Sequence, residues 1–354
     1  MNKCKRCECL PQYMEQAGVL YLSPPMEPTF KSIEKALENE PFRLNQEDKN
    51  IFEIPLDGNN AKRLFRGLQR CLNDMELADT KCLFLPQGAA FGIEHMVKVT
   101  ALGEFISVCD NRWFTDLLRD ERLESWFQPI VHAESPTEVF AYECLIRGKS
   151  ENGETIFPDA LFGMARSSEL LFFLDRLCRQ TAIKDASKHN ISAKLFINFN
   201  PTSIYNPVHC LKSTLRTIKE CGVSYDQIVF EVVETDRIQD VEHLLTIVSF
   251  YKNMGFGLAL DDLGAGYSSL NLLHRIQPDF IKIDLELIRD VHKNESKGVI
   301  VRNLLAIARD LGIQSIAEGV EQIEEWQWLK ANGADYTQGY LLAKPSPVPP
   351  DPAM

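Results

Sequence analysis

The 354-residue sequence has no apolar run that approaches the roughly 18 residues of a membrane-spanning helix. Its start, Met1 to Leu10, is charged and rich in cysteine, and so it does not resemble the apolar segment of a secretory signal. The sequence also has no low-complexity tract, no clear internal repeat and no linker rich in proline, glycine or serine. These absences predict a soluble cytoplasmic protein without a membrane partner.

Positive charge is scarce. The 38 lysine and arginine residues are outnumbered by 50 aspartate and glutamate residues, which gives a net charge of -12 at pH 7. A protein that holds DNA by neutralising phosphates needs a basic face, so this composition argues against a DNA partner. If the ligand carries phosphate groups, we expect metal ions to mediate its binding.

A regular extracellular cysteine framework is also missing, because most of the ten cysteines stand alone in apolar segments, as reduced core thiols do in the cytosol. Only three, near the start of the chain, are clustered. They form either part of a soft-metal or redox site or a reduced segment that binds nothing, because a tetrahedral zinc site needs a fourth ligand and the candidates are distant in sequence. The cluster is Cys4, Cys7 and Cys9, and the candidate fourth ligands are Cys71, Cys82, His95 and Cys109.

From Trp126 onward, short β-rich segments alternate with segments of helical length, a pattern that predicts parallel strands joined by helices. Eight such strands in about 220 residues favour a closed (β/α)8 barrel of the TIM type over an open doubly wound sheet. The first connection, His132 to Thr137, is too short for a helix, so we expect the first strand to run antiparallel to the second. The predicted strands are Trp126 to Val131, Val139 to Ile146, Ala193 to Asn198, Ile228 to Val233, Gly257 to Asp261, Phe280 to Asp284, Gln314 to Ala317 and Tyr336 to Leu342.

Residues 1–115 show a different pattern and predict a small α/β regulatory or dimerisation module. Three strand-like segments alternate with helix-like ones, and Lys62 to Leu72 is an amphipathic helix whose basic face we expect to be solvated. A further helix, Asn111 to Glu124, is predicted to lead into the barrel domain, which we place at 116–348, followed by a tail at 349–354. The strand-like segments are Gly18 to Leu22, Ile51 to Leu56 and Lys81 to Leu85.

Acidic residues recur where the predicted barrel strands end, which is where barrel enzymes build their active sites. So many carboxylates at one mouth would raise each other's pKa values unless cations neutralised them. Oxygen ligands and one asparagine favour Mg²⁺ or Mn²⁺ over zinc. The strand-end residues are Glu143, Arg147, Asn198, Glu231, Glu234, Asp261, Asp262, Lys282, Asp284, Glu318, Glu321 and Gln338.

The adjacent pair Asp261 and Asp262 can serve two ions through one bridging carboxylate, and such an ion pair clamps a phosphodiester for attack by water. Lys282 stands alone between apolar neighbours and could deprotonate or orient that water once a desolvated site lowers its pKa. Less specific interpretations stay open. Glu143 with Arg147 could be a strand-end ion pair, Lys282 with Asp284 a structural pair, and Asp261 with Asp262 a helix cap.

The ordered set of motifs from Leu123 to Pro345 resembles the family of EAL-domain cyclic di-GMP phosphodiesterases. Any one of the motifs is weak, whereas the set in this order is specific. The matching residues are Gln128-Pro129, Glu143, Leu145 and Arg147, Asn198, Glu231 and Glu234, Asp261 to Gly264, Gly266 to Leu270, Lys282 to Asp284, Glu318 to Glu321, and Gln338 to Tyr340.

The resemblance implies hydrolysis of cyclic di-GMP to linear 5′-pGpG with two Mg²⁺ or Mn²⁺ ions. It implies that Glu143, Asn198, Glu231 and Asp261 bind the first ion, that Asp261, Asp262 and Glu318 bind the second, and that Lys282 acts on the water. It further implies that Glu234 anchors the loop after the fifth strand and that this loop, Asp262 to Leu270, leads to a homodimer interface. The implied substrate-binding residues are Gln128, Leu145, Arg147, Asp284, Glu321 and Gln338.

Three positions depart from the family pattern: Cys144, Leu263 and Ala265 stand where an alanine, a phenylalanine and a threonine are usual. Cys144 points away from Glu143 on an alternating strand, so we expect it to be a packing residue. The other two changes lie in or beside the loop after the fifth strand and could weaken its order. A catalytically weak receptor for cyclic di-GMP that acts through protein contacts therefore remains the alternative function, and a purely protein-binding scaffold is a third.

Overall fold

The structure, a computed structural model, describes residues 10, 17–89, 91–168, 170–233, 240–264 and 269–353. The chain divides into two compact units. One comprises the described residues up to Asp120 and those from Asp159 to Leu171, and the other comprises Glu121–Pro158 and the described residues from Phe172 onward. The domain boundaries expected from the sequence stay predictions.

The first unit contains a five-stranded antiparallel sheet of order β2-β3-β1-β4-β5. Leu64, Phe65 and Leu68 on one face of helix α2 pack into its core, whereas the basic face of this helix is exposed, as predicted. The strands are β1 (Gly18–Ser23), β2 (Arg43–Leu44), β3 (Phe52–Leu56), β4 (Lys81–Pro86) and β5 (Thr100–Ala101), and the helices are α1 (Glu27–Ala36), α2 (Ala61–Cys71), α3 (Asp74–Asp79), α4 (Leu102–Asp110), α5 (Arg112–Arg119) and α6 (Pro158–Ser167).

The predicted helix Asn111 to Glu124 is too long. Helix α5 ends at Arg119, and Glu121 has a positive φ of 49° that a helix cannot accommodate. Leu123 and Glu124 already belong to the first barrel strand, where they pair with Gly148 and Arg147. The apolar spacing of the helix continues into the strand, so spacing alone did not reveal where one ends and the other begins.

The second unit is a closed barrel of the predicted (β/α)8 type. Strands follow the order β6-β14-β13-β12-β11-β10-β9-β7, and pairing of β6 with β7 closes the ring. Strand β6 is antiparallel to both of its neighbours, which confirms the expected reversal of the first strand. The strands are β6 (Leu123–His132), β7 (Val139–Lys149), β8 (Thr155–Ile156), β9 (Lys194–Phe199), β10 (Ile228–Val233), β11 (Gly257–Leu263), β12 (Phe280–Ile283), β13 (Gln314–Ala317) and β14 (Tyr336–Thr337), and β8 extends the sheet beside β7.

Helices surround this barrel and bury their apolar faces against its outer surface. Helix α13 ends at Gly312, which adopts the left-handed conformation (φ 70°). Cys144 packs in the apolar layer between strands and helices, as predicted. The helices are α7 (Leu171–Lys188), α8 (Pro207–Cys210), α9 (Lys212–Cys221), α10 (Val241–Asn253), α11 (Ser269–Ile276), α12 (Leu285–Ile288), α13 (Glu295–Leu311) and α14 (Ile323–Ala331).

The barrel interior contains an apolar layer to which each of the eight barrel strands contributes one residue. Because side chains alternate along a strand, the residue two positions nearer the mouth points into the same interior. That second residue is polar in all eight cases, and it lies within the strand or, for Glu318 and Gln338, directly after its last residue. The apolar layer is Ile130, Ala141, Phe196, Val229, Ala259, Phe280, Ile316 and Tyr336, and the polar layer above it is Gln128, Glu143, Asn198, Glu231, Asp261, Lys282, Glu318 and Gln338.

Candidate active site

Lys282 is the centre of the polar layer. Its Nζ lies 2.6 Å from Glu318 Oε1, 2.7 Å from Glu231 Oε1, 3.3 Å from Asp261 Oδ1 and 3.5 Å from Glu143 Oε1. The lysine and Glu231 are completely buried. A buried cation is stable when carboxylates surround it, and Lys282 neutralises acids from four different strands.

The expected lowering of the lysine pKa is wrong. Burial does lower the pKa of Lys282, but Asp261, Glu143, Glu231 and Glu318 together raise it well above its usual value. The reason is that the side chain is crowded by negative groups rather than by apolar ones. Among these contacts Lys282 is therefore an ammonium group, which favours orienting the water over deprotonating it.

Amide side chains hold the carboxylates from the other side. Asn198 Nδ2 donates to Glu231 Oε2 at 2.9 Å and to Glu143 Oε1 at 3.4 Å. Gln338 Nε2 donates to Glu143 Oε2 at 2.7 Å and to Gln128 Oε1 at 3.2 Å, and Gln128 donates to the carbonyl of Ala343. Both oxygens of Glu143 thus have fixed directions, and the strand-end residues form one connected network.

Asp262 reaches the same site through a local distortion. Strict alternation would turn it away from Asp261, but the pairing of β11 with β12 shifts register between Leu260 and Leu263, and Asp262 has a φ of 55°. Bulges of this kind redirect side chains beside functional sites. As a result, carboxylate oxygens of Asp261, Asp262 and Glu318 lie within 4.8 Å of one another. This geometry contradicts the helix-cap interpretation, because both aspartates lie in strand β11.

Three acidic groups in the site, Glu231, Asp262 and Glu318, have raised pKa values. Burial, reinforced by Asp261 and Glu143, raises the pKa of Glu318 to about 8 despite the opposing effect of Lys282. Burial and the neighbouring Asp261 and Asp284 raise the pKa of Asp262 to about 6. Burial also raises the pKa of Glu231 well above its usual value. Oxygen donors that resist ionisation until a cation arrives fit a hard divalent metal such as Mg²⁺ or Mn²⁺.

We expect the affinity for Mn²⁺ to rise with pH and to level off above about pH 8, with a loss of at least about tenfold between pH 8 and pH 6. A protonated Glu318, whose pKa is about 8, cannot bind a metal, so each binding event must release a proton below that pH. Isothermal titration in buffers of different ionisation enthalpy measures this release. Glu318→Gln is expected to weaken binding and flatten the dependence, and an unchanged slope in this variant would contradict the assignment.

The turn after β13, Glu318 to Glu321, is held between two neighbouring segments. Gly319 has a φ of 66°, and a Cβ there would lie 2.4 Å from the Cβ of Leu285. The buried carboxylate of Glu325 accepts the backbone N–H groups of Asp290, Glu321 and Gln322 at 2.8–3.0 Å. Sequence reasoning missed Glu325, although its place three residues after Gln322 is the spacing of a helix capping box.

Gly339 allows its own backbone to approach the backbone of Val320 closely. It also explains why β14 is shorter than predicted. The chain turns at Gly339, whose carbonyl accepts the N–H groups of Leu342 and Ala343, so the predicted strand to Leu342 ends at Thr337. A Cβ at Gly339 would lie 2.1 Å from the carbonyl oxygen of Val320. Glycine is thus required where the segment after Gln338 passes over the turn after Glu318.

Gly339→Ala is expected to lower the free energy of unfolding by about 1–3 kcal/mol and to weaken Mn²⁺ binding, because the clash displaces the backbone on both sides of Glu318 and Gln338. Thermal melting and Mn²⁺ titration measure the two effects. Gly58→Ala is the control, because a Cβ there meets nothing within 4 Å. Equal stability of the two variants would show that the turn moves without strain.

The other residues predicted to bind substrate make contacts within the protein near the polar layer. Arg147 donates to the carbonyl of Ile146 and lies between two aromatic rings, whereas Glu143 pairs with Lys282. Asp284 caps helix α12 by accepting from Glu286 N at 2.8 Å, Glu321 pairs with Arg289 at 3.0 Å, and Leu145 is half-buried opposite Trp126. Outside the described residues lie Glu234, 265–268 within the loop after β11, and Cys4, Cys7 and Cys9.

Sequence reasoning also missed a buried ion pair that contacts the turn after β9. Asp175 and Arg179 pair on helix α7, and both side chains are buried. Asp175 also accepts Asn200 N at 2.9 Å and Ser203 Oγ at 2.5 Å, so it fixes the turn that begins two residues after Asn198. The spacing i, i+4 was the available signal, but such pairs are usually found on exposed helix faces.

The family comparison agrees with this geometry, because the EAL domain model matches residues 111–345. The chain belongs to the EAL domain family. Its curated EAL relatives include the cyclic di-GMP phosphodiesterase PdeR of Escherichia coli (strain K12), 30% identical over 65% of this chain and 35% of PdeR. They also include the cyclic di-GMP phosphodiesterase NbdA of Pseudomonas aeruginosa, 26% identical over 65% of this chain and 30% of NbdA. This chain spans about a third of the length of these relatives.

Solved EAL structures resemble the fold. A standalone EAL protein from Vibrio cholerae O395, in a form bound to c-di-GMP, is 39% identical and covers 65% of this chain and 95% of its own, with a TM-score of 0.59. A manganese and cyclic di-GMP complex of Klebsiella pneumoniae BlrP1 is 25% identical, with a TM-score of 0.58. The BlrP1 match covers 93% of this chain and 96% of that chain, so it extends beyond the EAL domain.

Proposed function

We propose that this protein hydrolyses one phosphodiester bond of cyclic di-GMP and releases linear 5′-pGpG. The observation that carries this proposal is the polar layer, in which each of the eight barrel strands contributes one side chain and four carboxylates surround Lys282. Relatives named as cyclic di-GMP phosphodiesterases support the choice of substrate.

Mg²⁺ or Mn²⁺ is the proposed cofactor, with two ions per site. Glu143, Asn198, Glu231 and Asp261 would hold one ion, and Asp261, Asp262 and Glu318 the other. The carboxylate oxygens that lie within 4.8 Å of one another support the second set, and the contacts of Asn198 with Glu143 and Glu231 support the first. When bound, such a pair of ions supplies an activated water and neutralises charge on the phosphodiester.

The chain's own groups then position the reactants. Lys282 Nζ, protonated and in contact with carboxylates of both proposed metal sets, orients the water and balances charge at the buried site. Gln338, which already donates to Glu143, keeps that carboxylate in place. Gln128, Leu145, Arg147, Asp284, Glu321 and Gln338 are the proposed substrate-binding residues, and Glu234 the proposed anchor of the loop after β11.

We further propose a barrel domain at 116–348 whose turnover the N-terminal module at 1–115 regulates, and a homodimer formed through the loop after β11. The BlrP1 match over 93% of this chain supports a two-part organisation. None of the described helices has the length and apolar character that crossing a membrane would require. A weakly active receptor for cyclic di-GMP that acts through protein contacts is the second candidate. The name of one relative, the blue light- and temperature-regulated antirepressor BluF, supports action through protein contacts.

The deciding experiment is turnover of cyclic di-GMP by the full chain with Mg²⁺ or Mn²⁺, with the nucleotide products separated by chromatography. Glu143→Gln keeps the shape of a residue that contacts Lys282, Asn198 and Gln338, and we expect it to lower turnover at least about a hundredfold. Glu138→Gln, at an exposed position near the other end of β7, is the matched control and should retain activity. Binding of the dinucleotide without metal-dependent product in the unaltered protein would favour the receptor function.

A further inference from the structure

The guanidinium of Arg147 lies over two aromatic rings from the strands on either side of β7, and these three side chains are here called the aromatic stack. Its Cζ atom lies 5.0 Å from the ring centre of Trp126 and 5.3 Å from that of Phe157. Arg147 stands on β7, Trp126 on the neighbouring strand β6, and Phe157 directly after β8. A guanidinium between two ring faces is restrained in its plane but can still donate hydrogen bonds at its edge.

Polar contacts hold the two rings in place. Trp126 Nε1 donates to Glu124 Oε1 at 2.6 Å, and Glu124 pairs with Lys149 at 2.9 Å. Lys149 Nζ in turn donates to Thr155 Oγ1 at 3.1 Å, which fixes the short strand that precedes Phe157. These contacts and the pairing of β8 with β7 assemble the stack from three strands within one unit.

The donor edge of Arg147 is incompletely used by the protein. One terminal nitrogen donates to the carbonyl of Ile146 at 2.8 Å, whereas Nε is buried and has no hydrogen-bond partner among the described residues. The other terminal nitrogen, Nη2, has no hydrogen bond to a described residue and is not buried, so it is the donor that a ligand acceptor can reach. Arg147 and Glu143 are four residues apart on β7, so their side chains point to the same face, and the guanidinium belongs to the same mouth as the metal-binding candidates.

We propose that Trp126 and Phe157 are positioning residues that hold the Arg147 plane so that its donor edge meets acceptor atoms of the bound dinucleotide. This inference rests on the proposed function and adds a specificity element to it. The acceptors are either phosphate oxygens or the O6 and N7 atoms of a guanine, since a planar guanidinium fits both. Phe157 is 57% exposed, which leaves room for a ligand beside the stack.

A double-mutant cycle tests the proposal on the full chain. Phe157→Leu keeps apolar bulk but removes the ring, and it is expected to raise both the KM and the Kd for cyclic di-GMP about three- to tenfold, with kcat within about twofold. Phe157→Tyr keeps the ring and should restore the original values. In an Arg147→Ala background, Phe157→Leu should have no further effect, because the ring acts through the arginine.

Equal losses from Phe157→Leu with and without Arg147 would overturn the proposal, and thermal melting of each variant separates this result from unfolding. Cyclic di-AMP distinguishes the acceptors: a loss for cyclic di-GMP alone identifies the guanine edge, and equal losses for both dinucleotides identify phosphate. Binding without turnover would refute the proposed hydrolysis, but the Kd values of the four proteins in the double-mutant cycle would still test whether Phe157 acts through Arg147. Failure to bind cyclic di-GMP would overturn both inferences.

Discussion

Lys282→Met is expected to lower cyclic di-GMP turnover at least about a hundredfold and to destabilise the metal-free protein by about 3–5 kcal/mol. The substitution leaves Glu143, Glu231, Asp261 and Glu318 facing one another without their shared cation. Because Glu231 and Glu318 have raised pKa values and can take up protons, the loss of stability should be larger at pH 8.5 than at pH 5.5. Denaturant unfolding at the two pH values, together with a turnover assay, measures both effects.

Divalent metal provides the internal test of this explanation. Added Mn²⁺ should restore more stability to Lys282→Met than to the unaltered protein, since the ion replaces the missing positive charge. Lys219→Met, at an exposed position on α9, is the control and should change neither property. A variant of Lys282 that is equally stable at both pH values would show that the four carboxylates are not coupled through the lysine.

Asp175→Ala is expected to lower the free energy of unfolding by about 3–5 kcal/mol, because Arg179 would remain charged and buried without its partner. The same change releases Asn200 N and Ser203 Oγ, so the turn after Asn198 should loosen and metal affinity should fall. Chemical denaturation and Mn²⁺ titration of the full chain measure the two consequences.

The double variant Asp175→Ala with Arg179→Met separates charge from packing. It should be more stable than Asp175→Ala alone, since replacing both members of a buried ion pair removes the uncompensated charge. If the double variant is as unstable as the single one, the destabilisation comes from the lost contacts to Asn200 and Ser203 and not from Arg179.

Alternation along strands explains what the sequence could predict. Glu143, Asn198, Glu231 and Asp261 follow strand-like segments, and parallel strands place such residues at one mouth whatever the packing details. The barrel was predictable from the alternation of eight strand-like segments with helical ones. The reversed first strand was predictable because a connection of six residues cannot contain a helix.

The remaining features depend on contacts between residues that are distant in sequence. The charge of Lys282 could be predicted only once the number of carboxylates around it was known. The orientation of Asp262 depends on a bulge that no residue pattern in the sequence indicates. Trp126 and Phe157 looked like ordinary apolar positions, because only the fold brings them to either side of Arg147. Propensity and periodicity describe one strand or helix at a time, so they miss such convergence.

The two stacked layers inside the barrel also separate what holds the fold together from what gives it chemistry. Phe196 and Phe280 pack with their six partners below, whereas Asn198 and Lys282 face the mouth two residues further along the same strands. A combinatorial library that varies the upper layer and keeps its buried charges balanced should therefore retain the barrel while sampling other metals, other ligands or binding without hydrolysis. The barrel thus offers eight positions at which the chemistry of the site can be changed, one for each strand of the ring.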